Sequence, residues 1–192
     1  MVASSATPRN ICFKREQETY IDYFGKALNI YNKRENTCRI ITEEEDLALA
    51  IVYLTILSRV SERLDQRGMH RIHALGLEYH KRGILVLLPS GGGKTALAIS
   101  ILTAENNGIR LLSEDSPLIM RDGTLLPFPL SIAVHPRSMP EGIDSRFLRM
   151  EKRLETEPKM RIDVNYFGDR IATEAVKPSL ILLGRRSTGD VS

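Results

Sequence analysis

The chain has 192 residues, 27 Lys and Arg against 24 Asp and Glu, a net charge of +3 and 42% hydrophobic residues. This length fits one domain, or one domain with an appendage, and can bury a core. The near-balance of charge gives no ground for a nucleic-acid partner, which needs clustered cations. Lys33-Arg34 and Arg185-Arg186 read as solvated surface, and no C-x-x-C pair or Cys/His cluster accompanies Cys12 and Cys38. A structural zinc site is therefore not expected.

The start, MVASSATPRN, has no apolar core and predicts no secretory signal. The apolar stretch from Leu47 to Leu57 is shorter than the roughly 20 residues that cross a bilayer, so no membrane partner is expected. A cytoplasmic location is the resulting expectation, with both cysteines kept as thiols.

Residues 1–41 give no clear assignment; TYIDYFGKALNIY fits a short strand or a helix. Thr42-Glu43-Glu44-Glu45 reads as a capping box. A helix is predicted over about 43–66, with Leu47, Ile51, Leu54, Leu57 and Leu64 near one face and Gly68 as its C-terminal cap. That face reads as core, with a partner-binding helix as the alternative.

Ile84 to Leu88 is a continuous apolar run bounded by Arg82-Gly83 and Pro89-Ser90, and predicts a buried central strand. Lys94 to Glu105 has helical character, and Arg110-Leu111-Leu112 begins a strand ending in Ser113-Glu114-Asp115. Leu118 to Met120 and Thr124 to Leu126 flank an Asp122-Gly123 turn, a hairpin signal. Pro117, Pro127, Pro129, Pro136 and Pro140 argue against a long helix in this region. LRMEKRLE, around 148–155, is a polar, helix-compatible stretch; Met160 to Val164 and Ser179 to Leu183 predict strands, the second apolar enough to be internal. Because GRRSTGDVS follows that run directly, a C-terminal part is expected to be missing or supplied elsewhere.

The strand, the stretch PSGGGKT and the helix form a phosphate-loop pattern. Glycines let backbone N–H groups turn toward phosphate oxygens, and a helix N-terminus adds donors and partial positive charge. Ser90, Gly91, Gly92, Gly93, Lys94 and Thr95 are the candidate nucleotide-binding residues, with Lys94 reaching terminal phosphates and Thr95 placing its hydroxyl on Mg²⁺. The usual G-x-x-x-x-G-K-[ST] would put glycine where this chain has Leu88. Glu114-Asp115, after the next strand, suits a metal ligand and a proton acceptor. Composition gives no reason to single out His73 over His70 or His80.

The stretch 73–120, with His73-Ala74, the apolar strand, the Ser90–Thr95 loop and Glu114-Asp115 in that order, resembles HPr kinase/phosphorylase and the wider HPr-kinase-like group. The resemblance covers about a quarter of the chain clearly and implies an α/β fold. In that fold a mixed β-sheet P-loop domain of the phosphoenolpyruvate carboxykinase type spans 42–192, with an N-terminal helical segment. It implies ATP and Mg²⁺, Lys94 on phosphate, Thr95 and Glu114 at the metal, Asp115 as base and His73 as an active-site residue. Leu88 and Glu114 depart from the family's glycine and aspartate, the helix-to-acid segment is longer, and the later arginine-glycine signature is absent from the region PFPLSIAVHPRS.

HPr is accordingly not the expected acceptor. The expectation is a kinase acting on a hydroxyl of a protein, peptide or small molecule, with homo-oligomer formation left open. The alternative is a non-catalytic ATP-binding or scaffold protein of the same fold. Transporter ATPases and GTPases fit less well, because L-S-G-G-Q is absent and the lone Asn-Lys pair, Asn32-Lys33, precedes the loop.

Overall fold

A computed structural model describes residues 3–105, 107–151 and 158–185. The fold is mixed α/β and rich in strands. The chain divides into two compact units, Met1–Val60 with Glu151–Pro158, and Ser61–Met150 with Lys159–Ser192. That division falls inside a helix, whereas the sequence suggests a boundary near 41–42.

In the first unit β1 (Ala3–Ala6), β2 (Ile11–Arg15), β3 (Glu18–Asp22), β4 (Ala27–Asn32) and β5 (Thr37–Thr42) form an antiparallel sheet in chain order. The unassigned TYIDYFGKALNIY is thus a strand, a turn and a strand. The turn is set locally: Gly25 takes φ +77°, and its N–H donates to Asp22 Oδ1 at 2.9 Å. The helical segment α1 (Glu45–Gln66) follows this sheet rather than opening the chain.

Thr42 does not form the expected capping box. It ends β5, donates to Lys26 O at 2.9 Å and accepts from Glu44 N at 3.1 Å, which commits its hydroxyl before the helix begins. Leu47, Ala50 and Ile51 of α1 are buried, and Leu47 and Ile51 join Tyr23 and Ala27 in one core. Leu54, predicted on the inner face, is exposed, because the buried side of α1 in this unit is limited to its first two turns. Asn29 is buried but satisfied, donating to Thr55 Oγ1 and accepting from Cys38 Sγ, each at 2.9 Å. Burial pushes the Cys38 thiol pKa up, and both cysteines are free.

The second unit contains β6 (Met69–Arg71), β7 (Leu75–Tyr79), β8 (Arg82–Leu87), α2 (Lys94–Thr103), β9 (Ile109–Ser113), β10 (Leu118–Met120) and β11 (Leu125–Leu126). It continues through β12 (Ile132–Val134), β13 (Leu148–Glu151), β14 (Lys159–Ile162) and β15 (Lys177–Leu183). The main sheet runs β15-β8-β7-β9 and is mixed: β15 is parallel to β8, while β7 is antiparallel to both β8 and β9. Smaller sheets run β11-β10-β6 and β12-β14-β13. The predicted hairpin is present as β10 and β11, with Gly123 at φ +82° in its turn.

α2 presents Ala98, Ile99 and Leu102 to a core built from Leu75, Leu77, Val86, Leu111, Ile132, Val134 and Ile162. Its C-terminal carbonyls are closed by Arg170, which donates to Ile101 O at 2.8 Å and Ala104 O at 2.9 Å.

Two expectations need correcting. β15 is not internal: it forms the sheet edge, and Leu180, Ile181, Leu182 and Leu183 are all exposed, Leu183 by 80%. Its apolar run matches that of β8, but a buried strand needs neighbours on both edges and cover on both faces, and β15 pairs with β8 alone among the described strands. Leu148–Glu151 is a strand rather than helix, held in a sheet by β14. The remainder of that stretch, 152–155, lies outside the described residues, as do 156–157 and the tail 186–192.

Gly76 fixes where the acidic turn after β9 can sit. A Cβ at this position would lie 2.7 Å from Pro117 Cβ and 3.3 Å from Leu112 Cβ. Ile72 N donates to Pro117 O at 3.0 Å, so Pro117 is tied to the approach to β7. Gly76→Ala is expected to destabilise the protein by about 1–3 kcal/mol through overpacking, measured by urea unfolding. An unchanged midpoint would contradict this account.

Candidate functional site

The loop after β8 is shaped by its glycines. Gly91 and Gly93 hold φ +72° and +97°, a region that favours glycine. Gly92 is needed for space: a Cβ there would lie 2.8 Å from Pro89 O, to which its own N–H donates at 2.9 Å. Gly93 is the N-cap of α2 and supplies no side-chain cap. The first-turn amides of a ten-residue helix therefore face the loop with the positive end of the helix dipole.

Lys94 is only 7% exposed. A buried ammonium must be matched by acceptors. It donates to Leu88 O at 3.1 Å and contacts His73 Nε2 at 3.1 Å. His73 lies in the bend before β7, beside the fully buried Ala74, and its Nδ1 is 3.0 Å from Asp115 Oδ1. Asp115 Oδ1 is itself 3.9 Å from Lys94 Nζ.

The donor inventory assigns the ring. A lysine ammonium can only donate, so Nε2 accepts and the ring proton sits on Nδ1, donating to Asp115. Lysine, imidazole and carboxylate thus form a closed triangle.

On the other side of the loop's end, Thr95 Oγ1 hydrogen-bonds Glu114 Oε1. Burial pushes the Glu114 pKa up, and the neighbouring Asp115 charge adds to this; the Thr95 hydrogen bond, Lys94 and Arg161 oppose it. The turn carrying both acids is rigidly pinned. Ser113 is buried and its Oγ accepts from Ser116 N at 3.1 Å, while Pro117 is fully buried.

All the site residues expected from sequence are therefore close together: the Ser90–Thr95 loop, His73, Glu114 and Asp115. Thr95 and Glu114 offer two hard oxygen donors side by side, a set suited to Mg²⁺, which binds few protein ligands and keeps water or phosphate in its other positions. No group of three or more His, Cys, Asp or Glu positioned for a metal occurs among the described residues.

Sequence reasoning missed Arg161 of β14, whose charge acts on Glu114 and whose Nη1 bonds Ser131 O at 3.1 Å and Ser131 Oγ at 2.9 Å. Nothing local in the β14 sequence marks it. It also missed the Leu88 carbonyl as the anchor of Lys94. A separate concavity lined by Arg110 and Arg170 lies away from this cluster, and Arg170 there is committed to backbone carbonyls.

The raised Glu114 pKa has a definite sign. Between the ordinary carboxylate value and the raised one, the folded protein holds more protons at this group than the unfolded chain. Its contribution to stability therefore falls as pH rises through that interval. Glu114→Gln keeps an acceptor for Thr95 and removes the titration. Its stability relative to wild type is expected to increase from about pH 4 to about pH 7, read from urea midpoints. A constant difference would refute the assignment.

Comparison of the chain with protein-family models, with curated proteins and with solved structures finds no match.

Proposed function

We propose that this protein is an ATP-dependent phosphotransferase of the HPr-kinase-like group, with a phosphoenolpyruvate-carboxykinase-type P-loop domain, acting on a hydroxyl of a protein, peptide or small molecule. The single observation that carries this reading is the Lys94–His73–Asp115 triangle at the mouth of an uncapped glycine loop. A structural turn has no need of a buried lysine aimed at a histidine and an acid. A polyphosphate site needs a cation for the γ-phosphate and a base for the incoming hydroxyl.

In this reading the loop amides and Lys94 hold the β- and γ-phosphates. The acceptor hydroxyl oxygen forms a bond to the γ-phosphorus as the bond to the β-bridging oxygen breaks, and ADP leaves. Asp115 takes the hydroxyl proton, and the Nδ1–H of His73 orients its carboxylate. Mg²⁺, held by Thr95 and Glu114, would neutralise charge on the phosphates. Arg161 adds positive field on the Glu114 side.

No helix among the described residues is long and apolar enough to cross a membrane. A nucleotide and a hydroxyl-bearing acceptor are the partners this chemistry requires.

Lys94→Ala is expected to abolish ATP binding measured by calorimetry; retained affinity would reject the site. Asp115→Asn is expected to lower transfer of labelled γ-phosphate to acceptors in a cell extract by about 10²–10⁴-fold, with ATP affinity within about threefold of wild type. Equal loss of both would reject the base assignment. ATP binding by the wild type with no labelled acceptor would favour a non-catalytic nucleotide-binding role.

A further inference from the structure

The glycine missing from the loop entry has a counterpart just past the end of the neighbouring strand. Leu88 leaves β8 half-buried and packs against the core beneath α2. It lies between two glycines. A Cβ on Gly92 would be 3.1 Å from Leu88 Cβ, and a Cβ on Gly184 would be 2.1 Å from Leu88 Cδ2 and 3.2 Å from its Cγ.

Gly184 directly follows β15. Its N–H donates to Leu87 O at 2.9 Å, extending the parallel pairing in which Leu183 faces Leu87. Unlike Gly91 and Gly93, it has no positive φ to explain a glycine. A side chain there can enter only if the end of the Leu88 side chain gives way. The carbonyl of the same residue is one of the acceptors that hold the Lys94 ammonium.

We propose that Gly184 is a positioning residue for Lys94: its bare Cα receives the Leu88 side chain, which fixes the Leu88 carbonyl and so the direction of the lysine. The leucine at the loop entry is then tolerated because the space it needs is provided by another strand. The consequence for ATP rests on the phosphate-loop reading above; the packing relation does not.

The test is a size exchange in the full chain. The Lys94 Nζ resonance is followed by NMR with isotope-labelled lysine, assigned by its loss in Lys94→Ala. Gly184→Val is expected to shift that resonance and to weaken Mg²⁺-ATP binding about tenfold. In a Leu88→Ala background the same Gly184 substitution should leave the resonance where Leu88→Ala alone puts it and the affinity within about threefold of Leu88→Ala alone. A merely structural Gly184 would lower thermal stability without moving the lysine signal.

An unmoved resonance in Gly184→Val, or a double variant whose resonance is displaced from that of Leu88→Ala, overturns the proposal. If Gly184→Val fails to fold, Gly184→Ala carries the same two outcomes. Wild-type protein that binds no ATP would defeat the phosphate-loop reading, while the lysine resonance would still decide the role of Gly184.

Discussion

A lysine ammonium buried at the first position of α2 has to be satisfied where it lies, because an unpaired charge out of water is among the costliest features a fold can carry. Lys94 meets this requirement with the Leu88 carbonyl, His73 Nε2 and the nearby Asp115 carboxylate. Three segments are constrained by that one group: the end of β8, the bend before β7 and the turn after β9. β7 lies between β8 and β9 and is antiparallel to both, so the start of β7 and the ends of β8 and β9 fall at the same end of the sheet's strands.

The two acids of the turn have different surroundings although they are adjacent in sequence. Glu114 is turned toward Thr95 and is desolvated enough for its pKa to rise. Asp115 is half-exposed and bonded to the imidazole. Adjacent residues at a strand end point to different sides, so one pair of carboxylates can supply two chemical environments. The buried Ser113 and Pro117 on either side prevent the turn from exchanging them.

Much of the site is legible in the chain. Glycine spacing followed by Lys-Thr, between an apolar run and a helical pattern, specifies local backbone chemistry, and local chemistry is what a sequence encodes most directly. The order of β8, α2 and β9, the hairpin at Asp122-Gly123 and the cap at Gly68 follow from the same short-range rules. The five-stranded sheet of the first 42 residues was not legible, because its strands alternate weakly and its turns use Asn and Glu as well as Gly. β15 misleads for the opposite reason: its residues are those of an internal strand, but exposure is set by how many neighbours a strand acquires.

A glycine loop opening a helix, a lysine and threonine at its end, and an acidic pair one strand later can all be read along the chain. That His73 bridges Lys94 and Asp115, that Arg161 lies in the field of Glu114, and that Leu88 packs on Gly184 emerge with the folded chain alone. These pairs are far apart along the chain, so no local periodicity records them. They exist because strand order and register bring the segments to one end of the strands, where distances of about 3 Å decide which polar groups pair.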